Sequence, residues 1–145
     1  MTQSWTQSWL LWALLSAAFA ALTAIFGKLG VAQIPSDLAT LLRTLVILAF
    51  LAGMVWAGGA WQSPASIPGR TWLFLLLSGL ATGASWLCYF RALKLGEAAR
   101  VAPVDKLSVV LVAVFGVVFL GERLSAIASL GILLITAGAV LVALG

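Results

Sequence analysis

Charged residues are so sparse in this chain that they cut it into apolar runs of bilayer length. No charge occurs from Met1 to Gly27, from Thr44 to Gly69, from Thr71 to Phe90, or from Leu124 to Gly145. A helix needs about 20 apolar residues to cross a membrane. Those four runs suffice, and a fifth, residues 107–121, falls short at 15 residues. Only 8% of the chain is charged and 63% is hydrophobic, whereas a soluble domain carries about 25% charged residues. No water-facing surface can be built from that material. The expected fold class is all-α: a polytopic membrane protein, a bundle of about five transmembrane helices forming one domain over residues 1–145.

Turn and cap residues place the spans at about 9–26, 36–58, 71–95, 98–120 and 125–144. Ser36 or Asp37, following Pro35, is the expected N-cap of the second span, and Ser125 that of the fifth. Gly96 is the expected left-handed cap of the third. The segment from Gly58 to Gly69, with Pro64 and Pro68, reads as a turn-rich loop. The first run ends like a signal peptide at Ala18-Phe19-Ala20, but no basic segment precedes it, so a retained helix is expected. The short fifth run forces the fourth helix to begin near Ala98. It must then carry Asp105 and Lys106 into the membrane.

Five spans put the chain ends on opposite sides, named A for the N-terminal side and B for the other. Six of the seven tryptophans (Trp5, Trp9, Trp12, Trp56, Trp61 and Trp72) fall near side A, as an interfacial aromatic belt does. Outside the spans, Arg70 and Arg123 fall on side A, and Lys28, Arg91, Lys94 and Arg100 on side B. The positive-inside rule therefore places side B and the C-terminus in the cytoplasm, with the protein in the cell (inner) membrane. The bias of four to two is modest and leaves room for copies in both orientations.

A charge at mid-bilayer costs about 2.5 to 3.5 kcal/mol, so it is normally paired or faces a water-filled cavity. Arg43 and Asp105 each lie about 10 Å into a helix that enters from side B, at 1.5 Å per residue. Asp105 and Lys106 are sequence neighbours pointing about 100° apart, a poor arrangement for neutralising each other. Asp105 is expected to pair with Arg43 or with a second subunit. The third helix brings Ser85, Trp86 and Tyr89 to the same level, and Pro103 frees the carbonyl of Ala99 just before the two charges. A broken helix beside an ion pair is how many transporters build a substrate site. The candidate substrate-binding residues are Arg43, Trp86, Tyr89, Asp105 and Lys106. In a plainer alternative Arg43 snorkels to headgroups, Asp105 and Lys106 sit in a frayed first turn, and the two aromatics only pack.

Other classes are disfavoured. The net charge of +4 and the pI near 10 come from cations scattered singly between apolar runs, which suits anionic membrane lipids and not nucleic acid. There is no His, and the one cysteine, Cys88, lies in an apolar run, so no metal or cofactor site and no catalytic nucleophile with its base are expected. Small residues at Gly79 and Gly83, at Ala13, Ala17 and Ala21, and at Gly131 and Gly138 allow close helix packing and carry no chemistry.

Three segments occur together at a telling spacing: Arg43 early in the second helix, Ala92-Leu93-Lys94-Leu95-Gly96-Glu97-Ala98 after the third, and Leu120-Gly121-Glu122-Arg123-Leu124-Ser125 before the fifth. With them nearly the whole chain resembles one EamA unit of the drug/metabolite transporter superfamily. In larger relatives two such units are fused as an inverted repeat and the substrate passes between them. The resemblance implies a transporter, not an enzyme, that moves a small-molecule metabolite by alternating access as a homodimer. The sequence departs from the family where Asp105-Lys106 replaces a frequent Leu-Pro. The related small multidrug resistance proteins carry a Glu in their first helix, and this chain has no acid there. Arg43 and Lys106 against Asp105 leave about one net positive charge, suited to a carboxylate or zwitterion. The alternative is a non-transporting membrane subunit or a lipid-carrier flippase component. Because an odd number of spans inverts the second unit of a fused pair, the homodimer is expected to be antiparallel, with a parallel dimer left open.

Overall fold

The computed structural model describes residues 8–145, so Trp5 lies outside the described residues. The fold is all-α, with no strand among the described residues. Its helices are α1 (Trp9–Gly30), α2 (Ser36–Ala57), α3 (Gly69–Leu95), α4 (Ala98–Asp105), α5 (Ser108–Leu120) and α6 (Ala126–Leu144). Taking α4 and α5 as one span, Ala98–Leu120, five are long and apolar enough to cross a membrane. Lipid offers the backbone no hydrogen-bond partner, so each run closes its own N–H and C=O groups by coiling. Hydroxyls follow the same rule: Thr40, Thr44 and Thr136 donate to the carbonyls of Ser36, Thr40 and Ile132 one turn earlier. Mid-span side chains stay uncovered by the chain, as with Leu80 at 73% and Val118 at 65% exposed. In water that would be an aggregating patch; in a membrane it is the lipid or partner face.

The chain divides into two compact units. One is Phe26–Lys94, which holds the last turn of α1 with α2 and α3. Its packing concentrates where α2 begins and α3 ends, with Val31, Ser36, Ala39, Thr40, Phe90 and Leu93 buried. Gly27 lets α1 approach α3, because a Cβ there would meet Phe90 Cζ at 3.2 Å and Leu93 Cδ1 at 3.4 Å. The helices α2 and α3 run antiparallel: Lys94 Nζ donates to Ile34 O at 2.7 Å, Arg91 bridges Asp37 at 3.0 Å, and Arg43 lies over Trp86. The Arg91–Asp37 bridge is more than half exposed on both sides, which limits it to about 0–1 kcal/mol.

Three sequence expectations change here. The helix α1 runs four residues past Phe26 to Gly30, and the added turn carries Lys28, whose Nζ donates to Leu93 O at 2.7 Å. That bond satisfies a terminal carbonyl of α3, so Gly96 does not take the left-handed cap; positive φ among the described residues occurs at Gly59 and Gly121. Nor do Ser36 and Asp37 cap α2. Pro35 precedes the helix without a side-chain cap, Ser36 Oγ donates to Asp37 Oδ1, and Asp37 sits in the first turn facing Arg91.

The other unit joins residues Met1–Ile25 to Leu95–Gly145. In it α6 packs against α4 and α5. Ser125 caps α6 as expected, accepting from the Ala128 N–H at 3.1 Å. Gly121, at φ 69°, closes α5: its own N–H and that of Glu122 both turn back to Gly116 O. Gly116 has no side chain, and the Glu122 carboxylate occupies the space a Cβ would take. No basic residue sits in the last turn of α6; Arg100 supplies one from α4, its Nη2 donating to Ala143 O at 2.6 Å. Arg100→Met should therefore loosen the end of α6 by about 0.5–1 kcal/mol. Faster amide exchange confined to that last turn is the expected result; an unchanged rate would mean that the contact does not hold the helix end.

Candidate functional site

Arg43 lies about 10 Å into α2 from Ser36 at 1.5 Å per residue. Its guanidinium carbon is 3.9 Å from the centroid of the Trp86 ring and 4.9 Å from that of Phe90. Those two rings are one turn apart on the same face of α3. The negative faces of the rings stabilise the cation, yet a ring does little for an N–H donor. Arg43 Nη1 is buried and has no acceptor among the described residues. Tyr89 lies near Arg43 and meets Phe90 edge-on, with centroids 6.3 Å apart. Arg43, Trp86 and Tyr89 are thus brought together by α2 and α3, with the Arg43 guanidinium resting on aromatic rings. Phe90, 3% exposed, belongs with them and was not singled out from the sequence. Its position four residues after Trp86, on the same helical face, is the signal that could have found it.

Asp105 and Lys106 lie in the other unit, where they pair with each other, Lys106 Nζ to Asp105 Oδ2 at 3.3 Å. This corrects the expectation that neighbours about 100° apart are poorly placed to neutralise one another. The Lys stem is long and flexible, and α4 ends at Asp105, so the pair sits at a helix break and not on a continuous helix. Nor is it a frayed first turn, since α4 begins at Ala98. After Pro103 the hydrogen bonds tighten: the Leu107, Val109 and Val110 N–H groups donate to Val104, Lys106 and Leu107, each three residues back. Such a stretch often marks a hinge. The side chains of Asp105 and Lys106 are 35% and 57% exposed.

Residues 7–144 match the profile of the EamA-like transporter family. The chain belongs to that family. A relative from Sinorhizobium sp, described as an uncharacterized transporter in the cobO 3' region, is 70% identical over 138 residues. The match covers 95% of this chain and 98% of the relative, so the two are of similar length. No solved structure matches the chain. This EamA-like chain is therefore a multi-pass membrane protein of a transporter family, and its intramembrane charges are to be read in that setting. Between α5 and α6 it also has an apolar cleft of about 390 Å³, lined by Val114, Val117, Ile132 and Leu133 with Ser129 as the one hydroxyl. Such a lining suits hydrocarbon and offers nothing to orient a polar solute.

Proposed function

We propose that this EamA-like protein moves a small metabolite across the cell (inner) membrane by alternating access, working as a homodimer, with Arg43, Trp86 and Tyr89 of one unit and Asp105 and Lys106 of the other as its substrate-binding residues. The observation that carries the proposal is the exposure of Asp105 within an apolar span. It lies about 10 Å along α4 from Ala98, its side chain 35% uncovered. Lys106 can snorkel along its four-carbon stem, but an aspartate has one methylene and cannot reach the headgroups. A carboxylate left open at that depth faces water or another subunit, not lipid. The adjoining run of short-range hydrogen bonds supplies a place for the span to bend. Flux of labelled carboxylates and amino acids in proteoliposomes tests the proposal. Saturable flux above empty vesicles is expected; none across the set would favour a non-transporting subunit or a flippase component.

The dimer follows from parity. Five spans give a unit whose ends lie on opposite faces, so only oppositely inserted copies recreate an inverted repeat around a midplane site. The charge bias toward side B places the C-terminus of the preferred orientation in the cytoplasm. Single cysteines in a Cys88→Ala background, one in the Gly58–Gly69 loop and one at Gly145, should each label from both sides of the membrane. If the loop labels only from outside and the C-terminus only from inside, the antiparallel dimer is wrong, and a parallel dimer or a different partner chain completes the pathway.

A further inference from the structure

The aromatic support around Arg43 leaves a donor unused. Trp86 and Phe90 hold the guanidinium at 3.9 and 4.9 Å from their centroids, which fixes its position and stabilises its charge without offering an oxygen. The buried Nη1 then has no acceptor among the described residues. An unmade hydrogen bond at a buried charged donor is strongly unfavourable, and packing the charge on two rings does not relieve it. What fits is a group that brings oxygen lone pairs and negative charge together. A guanidinium whose face is taken by an aromatic ring still offers its edge, and the edge is the part that matches a carboxylate or phosphate through paired N–H···O bonds. Arg43 as a residue is only partly buried, which leaves such a group a way in.

We infer that Arg43, positioned by Trp86 and Phe90, is an oxyanion-binding residue whose Nη1–H is completed by a carboxylate or phosphate oxygen. The inference rests on the transporter reading above for its physiological meaning, since it makes the cargo an anion or a zwitterion held by its acidic group. It is distinct in requirement, because it concerns binding and not movement. At about 10 Å from the start of α2, the oxygen could belong to a dissolved anion or to an acidic lipid headgroup. Asp105 lies in the other unit, where its partner is Lys106.

The test uses the full chain, labelled with 15N-arginine, in a maltoside detergent that contains no phosphate. Acetate and inorganic phosphate are titrated in one arm and phosphatidylglycerol in the other, with chloride holding ionic strength constant. The Arg43 side-chain resonance, identified by its loss in Arg43→Lys, should shift saturably, while those of Arg70, Arg91, Arg100 and Arg123 should not. Saturation by acetate or phosphate assigns the site to a dissolved anion; saturation by phosphatidylglycerol alone assigns it to a headgroup. In parallel, the rise in thermal stability caused by the effective anion should need about ten to a hundred times more of it in Arg43→Gln. No saturable shift of the Arg43 resonance in either arm overturns the inference, as does an anion response that Arg43→Gln leaves intact. Anion binding without flux would leave this inference standing and defeat the transport proposal. Flux of a cationic or neutral solute with no anion binding would do the reverse.

Discussion

Phe90→Ala is expected to destabilise the protein by about 2 to 3 kcal/mol, the cavity part of the cost of removing a buried Phe side chain. Phe90 is 3% exposed, its Cζ would lie 3.2 Å from a Cβ on Gly27, and its ring lies under the Arg43 guanidinium. Removing it opens a cavity where α1, α2 and α3 meet and strips contact from every wall of that cavity. In a membrane this loss of packing is the main cost, because burial away from lipid brings no hydrophobic gain. Phe90→Leu retains most of the volume and should be milder, at about 1 to 2 kcal/mol. Leu80→Ala, at a side chain 73% exposed, should stay within about 0.5 kcal/mol. Equilibrium unfolding in mixed micelles measures all three. A Phe90→Ala protein as stable as Leu80→Ala would show that this end of the unit is not packed around Phe90.

Asp105→Asn should reduce flux at least about tenfold, the effect of losing one charged contact, while the protein still inserts and folds. The change is nearly isosteric and removes the counter-ion of Lys106, which lies 3.3 Å away. Because both side chains are a third or more exposed, the stability cost of breaking the pair should be about 1 kcal/mol, well below that of a fully buried pair. Stability and transport therefore separate. Adding Lys106→Met to Asp105→Asn should restore the lost stability, since no lone charge remains, and should leave flux low. Additive effects of the two substitutions on stability would show that the pair is not energetically coupled. A flux rate and pH profile unchanged in Asp105→Asn would remove Asp105 from the mechanism.

The number of spans was legible in the charges, and their bounds in the charges together with the turn residues. Twelve charged side chains, eight basic and four acidic, punctuate the chain because each is costly in hydrocarbon and accumulates at the ends. The same penalty made Asp105, Lys106 and Arg43 conspicuous, and it brought Trp86 and Tyr89 in by their depth. Local cap chemistry was only partly legible. Ser125 caps α6 through its own hydroxyl, which needs only neighbouring residues. Gly96 and Asp37 behave otherwise than expected because Lys28 reaches the end of α3 and Arg91 reaches the start of α2 from elsewhere in the chain. Those partners are 65 and 54 residues away.

What only the tertiary structure decided is which face of each helix meets which neighbour. In a soluble protein the polar side of a helix announces its outward face, but in lipid every face is apolar and the pattern does not separate partner from solvent. Depth along the membrane normal can be counted from the sequence at 1.5 Å per residue; rotation about the helix axis cannot. The sequence therefore determined that Arg43 sits about 10 Å into its span. Its rotation onto Trp86 and Phe90, with Nη1 left without an acceptor among the described residues, was set by the antiparallel register of α2 against α3.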